Sequence, residues 1–145
     1  MYLVSSCLAG IDCRFNGANN LDVKIAKLVK EGTAIALCPE VLGGLPIPRE
    51  PCEIIQTSDK KRKVISKSGK DFTKFYLKGA VKTYKICKIC GVEKAILKSR
   101  SPSCGYGKIY DGTFKGKLIE GNGLTSELLS KNGIEIFNEE NWTYP

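Results

Sequence analysis

Four short apolar runs, each separated from the next by a turn-rich and then a helical stretch, constrain this chain more than any other feature. The runs are residues 2–6, 33–37, 93–98 and 134–137. Between the first two, Leu21, Ile25, Leu28 and Val29 recur at helical spacing over 22–31, with Asn20 or Asp22 as a cap and Gly32 at the C-cap position. Phe72, Phe75, Tyr76, Ala80, Val81 and Tyr84 mark a long helix over 72–90, capped by Asp71 or Thr73 and ended by Gly91. Thr125 is expected to cap a helix near 125–131 that Gly133 ends. Strand–helix–strand alternation calls for a parallel sheet with helices on its faces. The expected fold is therefore α/β: a single domain over 1–145, with a parallel sheet of about four strands flanked by helices in the Rossmann-like, doubly wound manner. Residues 53–57 and 62–66 read as a small hairpin insertion, 43–51 as extended loop, and 105–123 as mostly loop.

At 145 residues the chain has room for one self-sufficient core. Its 42% hydrophobic and 26% charged residues are ordinary for a soluble globular protein. No apolar run approaches the ~18 residues needed to span a bilayer, so no membrane partner is expected. The opening Met-Tyr-Leu-Val-Ser-Ser lacks a basic leader region, and a cytoplasmic location is expected. Net charge is +8 and uneven: residues 59–100 hold 14 Lys and Arg against 3 Asp and Glu, leaving 9 against 12 elsewhere. A nucleic-acid footprint is one reading of that block. A solvated, lysine-rich helix face is the favoured one, because Arg, the better phosphate reader, occurs in the block only at 62 and 100.

The chain has seven cysteines and no histidine. Cys7 follows the first strand, Cys38 the second, and Cys104 lies in the loop after the third. In a parallel sheet these loops all leave at the carboxyl edge, where open α/β sheets bind ligands. Thiols far apart in sequence would thus meet at one crevice. They are either ordinary buried cysteines, which are common in cores, or the ligands of a metal centre. Zinc would need a water or carboxylate to complete its shell, whereas iron–sulfur clusters are held mainly by thiolates. Three protein ligands on a four-iron cluster would leave one iron open. Cys13 reads as a reserve ligand or a packed thiol, and Cys52 lies in a loop. Cys87 and Cys90 have redox-pair spacing, but they fall at the C-terminal end of the long helix, where the dipole opposes thiolate formation.

The stretches SSCLAGIDCRFNG (5–17), CPEVLGGLPIPREP (38–51) and LKSRSPSCGYGKIYDGTF (97–114) resemble, in the same order, the signatures of the thiouracil desulfurase (desulfidase) family. The resemblance covers most of the chain. It implies a small α/β protein with a [4Fe-4S] cluster on Cys7, Cys38 and Cys104. It also implies a catalytic acid at Glu40 and a catalytic serine at Ser101 or Ser103, with Ser101 the first choice. The implied activity is non-redox removal of sulfur from a thiolated pyrimidine such as 2- or 4-thiouracil. Sulfur would leave as hydrosulfide on the open iron and be released as hydrogen sulfide.

With histidine absent, Glu40 is the natural proton shuttle, two residues from Cys38. Its alternative role is that of a solvated loop carboxylate, and the two serines flanking Pro102 could be plain turn formers. Arg14 and Arg49 could offset the negative charge of a thiolate-ligated cluster. Two other functions stay open at this level: a sulfur carrier delivering cluster-bound sulfide to an enzyme or a tRNA, and a cysteine-rich structural protein.

Overall fold

The computed structural model describes residues 1–145. In chain order the elements are β1 (Tyr2–Ser5), α1 (Val23–Lys30), β2 (Ala34–Leu37), α2 (Pro39–Leu42), β3 (Cys52–Gln56), β4 (Arg62–Ser66), α3 (Thr73–Cys90), β5 (Lys94–Leu97), β6 (Lys108–Tyr110), β7 (Leu118–Glu120), α4 (Leu124–Lys131) and β8 (Glu135–Asn138). A single 3-10 turn, Ser6–Ala9, follows β1. No helix is long and apolar enough to cross a membrane.

The four strands expected from the apolar runs form one parallel sheet in the order β2-β1-β5-β8. Its register pairs Leu3 with Ile35 and Ala95, and Ala95 with Ile136. Strand alternation sends Leu3, Ala95, Leu97 and Ile136 to one face, where they pack with Cys87 and Leu129 beneath α3 and α4. Val4 and Ile96 point to the other face and meet Ile25 and Leu28 of α1. Helices thus cover both faces, as the doubly wound reading requires. The chain runs outward from β1 to β2, then returns across β1 to place β5 on its other side. The loops after β1 and β5 therefore diverge, opening a crevice at the carboxyl edge.

The hairpin β3–β4 forms as expected, with Ile54 opposite Val64. Its inner face builds a third core with Leu45, Tyr76 and Ile109. A second hairpin, β6–β7, occupies the stretch expected to be loop. Its strands are three residues long, and only Ile109 is buried, so the hydrophobic pattern hardly registers between the glycines. The one-turn α2 also departs from expectation. Pro39 sits at its first position, where a missing N–H costs nothing.

Thr125 does not cap α4; Gly123 does, without a side-chain bond. The first amides of α4 are satisfied by tertiary contacts instead: Leu124 N–H donates to the Pro102 carbonyl at 2.9 Å and Thr125 N–H to the Ser103 carbonyl at 2.9 Å. The helix start is thereby fastened to the loop that carries Cys104. At the other helix pair, Gly43 and Gly79 let α2 lie directly on α3. A Cβ on Gly79 would collide with the Pro39 carbonyl oxygen, and one on Gly43 with that of Phe75. Gly79→Ala is expected to destabilise the fold by about 1–3 kcal/mol, the usual range for overpacking. A lowered urea midpoint at unchanged slope would show it.

Candidate active site

The crevice is a cavity of about 380 Å³ lined by the loops that follow β1, β2 and β5, with part of β3 and Tyr76 of α3. Cys7, Cys38, Cys104, Glu40, Ser101 and Ser103 all line it, together with Cys13. The structure thus brings the three expected ligands, the expected acid and both candidate serines to one cavity. Cys87 and Cys90 stand elsewhere, in the last turn of α3, the first buried and the second exposed. Lys74, Lys78, Lys82, Lys85 and Lys88 are exposed along α3, so much of the basic block is a solvated helix face.

Each thiol is placed by its own local structure. Cys7 lies in the 3-10 turn, whose carbonyl accepts the N–H of Gly10 at 3.2 Å and of Asn20 at 2.9 Å. Gly10, at φ 94°, makes the left-handed bend that lets residues 10–20 fold back over the site. Cys38 is the N-cap of α2. Cys104 is buried, and its sulfur accepts the Ser5 hydroxyl at 3.3 Å. Ser5 in turn accepts the Lys98 amide at 2.9 Å, tying β1 to the end of β5.

The thiols do not share one electrostatic state. The neighbouring Cys13 thiol, whose one proton either sulfur can draw on, is the main reason Cys7 and Cys38 are drawn down to about 7 against opposing burial. Asn20 and Lys98 add to the effect at Cys7; the Val41 amide and Arg49 add to it at Cys38. Cys13, as the donor, is pushed far up. Burial raises Cys104 to about 12 despite the Ser5 and Ser103 hydroxyls.

Glu40 is the hub of the polar wall. Its Oε1 accepts Arg49 Nε at 2.9 Å and the Tyr76 hydroxyl at 3.2 Å; its Oε2 accepts the Ser103 hydroxyl at 2.6 Å. The Arg49 and Glu40 side chains are only 7% and 12% exposed. Arg49 also donates to the Cys13 carbonyl at 2.9 Å, joining the first and second cysteine loops. Ser103 and Ser101 divide their work. Ser101 Oγ accepts the Cys104 amide at 2.7 Å and stands 3.4 Å from Ser103 Oγ. The serine bonded to the carboxylate is thus Ser103, with Ser101 one hydroxyl further out. Tyr76 passed in the sequence as one more apolar position of a helix; nothing there signals that its hydroxyl meets Glu40.

The third cysteine loop is anchored from the C-terminal side. Glu139 accepts the Ser99 amide at 2.8 Å, the Ser99 hydroxyl at 2.8 Å and Lys98 Nζ at 2.9 Å. Burial raises the Glu139 carboxyl, but these donors outweigh it and hold the group below its ordinary 4.5. A depressed carboxyl stabilises the fold above its unfolded value and loses that contribution as pH falls through the folded value. Glu139→Gln is expected to cost about 1 kcal/mol near neutrality. The gap from the unsubstituted chain should close below about pH 4, as denaturant unfolding across pH would reveal.

Fold and site together define a class: a doubly wound α/β protein with a thiol-rich, carboxylate-backed cavity at its topological switch point. Comparison with known proteins narrows it. The 2-thiouracil desulfurase family matches residues 2–141. Uncharacterized protein YbbK of Bacillus subtilis (strain 168) is 47% identical over 144 residues, covering 96% of this chain and 95% of that one. The solved structure of the [4Fe-4S]-dependent thiouracil desulfidase TudS superposes with a TM-score of 0.86 at 40% identity, covering 96% of this chain and 90% of that one. The chain belongs to the 2-thiouracil desulfurase family.

Proposed function

We propose that this chain hydrolyses the carbon–sulfur bond of a thiolated uracil, yielding uracil and hydrogen sulfide, with a [4Fe-4S] cluster held by Cys7, Cys38 and Cys104. The observation that carries the reading is the meeting of three thiols from three separate loops with the Glu40–Ser103 pair on one cavity. Membership of the family and the likeness to TudS support it.

The residues suit such a group. The donor set is thiol without imidazole, the set that cluster irons favour. Asn20 lines the cavity near Cys7 with its Nδ2 buried and without a protein partner. A buried amide donor of that kind costs free energy unless it finds an acceptor, and thiolate or cluster sulfur provides one.

A cluster with one iron free of protein thiolate would supply a Lewis-acidic seat for the soft thiocarbonyl sulfur. The chain's own residues supply the proton traffic. Glu40 takes a proton from the water that attacks the thiocarbonyl carbon. Arg49 and Tyr76 hold the carboxylate by its other oxygen, so that Oε2 keeps its aim. Ser103 and Ser101 extend the path by two hydroxyls toward the open cavity. The carbon–sulfur bond breaks as the new carbonyl forms, and the departing sulfur receives the protons lost by the water. Carbon and sulfur keep their oxidation states, so no external reductant is consumed.

The test is anaerobic reconstitution followed by assay with 2- and 4-thiouracil. Equimolar uracil and sulfide from either substrate is the expected result. A fully loaded chain that leaves both untouched would overturn the reading.

A further inference from the structure

Glu53 is a carboxylate that neither the cluster nor the proton path uses. It lies in β3, is 9% exposed, and lines the same cavity as the cysteines. Its Oε1 accepts two backbone amides, from Gly112 at 2.9 Å and Phe114 at 3.1 Å, which lock the side chain against the loop between β6 and β7. No cation pairs with it among the ion pairs of the protein, and Oε2 takes no hydrogen bond from any protein group. Nor is Oε2 sealed in the core, where an unpartnered oxygen would be costly.

The other acids of the cavity are placed differently. Both oxygens of Glu40 are occupied by Arg49, Tyr76 and Ser103. Glu50 lies near Ser66, Ser68 and Lys70 with its Oε2 buried and without a hydrogen-bond partner, and no pair of backbone amides fixes it as Gly112 and Phe114 fix Glu53. Glu53 is therefore an acceptor fixed through one oxygen, on a residue that lines the crevice, with its second oxygen engaged by no protein group. The complement of such a group is a single N–H donor on a planar ring. In uracil, N3–H lies between C2 and C4, next to the thiocarbonyl whichever of the two carbons carries sulfur.

We propose that Glu53 is a specificity-determining residue that accepts the N3–H of the pyrimidine and so selects rings with an N–H beside the carbon that loses sulfur. The proposal rests on the thiouracil reading of the site. Glu53 is a positioning residue: it touches the substrate away from the reacting atoms. It turns the ring so that the thiocarbonyl faces the cysteines and rejects rings whose N3 is alkylated, because a methyl there would leave the carboxylate buried without a partner.

The experiment compares the cluster-loaded chain with its Glu53→Gln variant. Glutamine keeps an oxygen for the Gly112 and Phe114 amides but replaces the open acceptor by an NH₂ donor, so the loop should stay anchored and the melting temperature little changed. Equilibrium binding of uracil and 3-methyluracil is measured, with KM and kcat for 4-thiouracil. The expected result is uracil binding weakened about tenfold or more in the variant, the range for a lost bond to a charged group. KM should rise more than kcat falls. The preference for uracil over 3-methyluracil should be large in the unsubstituted chain and nearly gone in the variant.

Equal binding of uracil and 3-methyluracil by the unsubstituted chain would overturn the proposal even if the variant failed to fold. So would a preference that survives in a folded variant. Absence of turnover with any thiouracil would strike at the proposed function instead, whereas turnover with unaltered selectivity in Glu53→Gln strikes at Glu53 alone.

Discussion

Replacing Cys104 by serine is expected to remove the iron–sulfur chromophore, with iron and acid-labile sulfide per chain falling more than about tenfold after oxygen-free purification. Cys7→Ser and Cys38→Ser should do the same. The informative contrast is with Cys13, because five thiols line the cavity: Cys52, whose thiol donates to the Glu50 carbonyl at 3.7 Å, and four others on the loops after β1, β2 and β5, of which three are proposed to bind. The four differ in their neighbours. Cys13 is the neighbour that most lowers both Cys7 and Cys38, which makes it a support for their charge. Cys104 has its own hydroxyl donor in Ser5 and a rigid loop, held by Ser101, Glu139 and the start of α4. Its thiol lies high through burial, so cluster binding there must expel a proton, a cost recovered through the metal–sulfur bond. Cys13→Ser should therefore retain most of its iron, since a hydroxyl of similar size can still offer its one proton to either neighbouring sulfur. The joint change of Cys87 and Cys90 should leave iron content unaltered, since both lie in the last turn of α3 and neither lines the cavity. Iron retained in Cys104→Ser but lost in Cys13→Ser would reverse the ligand assignment.

The sheet was legible in the sequence because its strands are short apolar runs bounded by strong punctuation. Asp22 caps α1 through the amides of Lys24 and Ile25, and Gly91 ends α3 at φ 68°. Those signals are local, and local signals survive without coordinates. The convergence of Cys7, Cys38 and Cys104 was legible for a topological reason: parallel strands deliver their following loops to one edge. What escaped notice depends on contacts between distant segments. Ser103 rather than Ser101 meets Glu40 because α4 grips the Ser103 carbonyl, 22 positions before a residue that looked like an ordinary helix cap. The β6–β7 hairpin is fastened by one oxygen of Glu53, a residue that reads as part of an unremarkable strand. Asn20 looked like a cap candidate and instead turns an amide toward Cys7. Hydrogen-bonded hubs of this kind have no periodicity for a sequence to display.

Glu40→Gln should leave the cluster in place and lower kcat on thiouracil by about 10²–10⁴-fold, the range for loss of a positioned acid–base group. Glutamine is the right replacement because of what surrounds the carboxylate. Arg49 is 7% exposed and would lose its partner in Glu40→Ala; stranding a buried cation costs about 3–5 kcal/mol and would confuse a folding defect with a chemical one. An amide oxygen can still accept from Arg49 and Tyr76, so the wall of the cavity stands and only proton transfer is removed. The amide NH₂ would then face Ser103, which must reverse its hydrogen bond, and the path through Ser101 loses its terminal base. Ser103→Ala should act in the same direction with a smaller loss, because Glu40 keeps its charge and its other two donors. Ser101→Ala should in addition loosen the Cys104 loop, whose amide it accepts, and so show a partial loss of iron that Ser103→Ala does not. Iron content, measured beside kcat in all three variants, separates the effects: full occupancy with lost turnover assigns the proton path to Glu40, and unimpaired turnover in Glu40→Gln removes it from the mechanism.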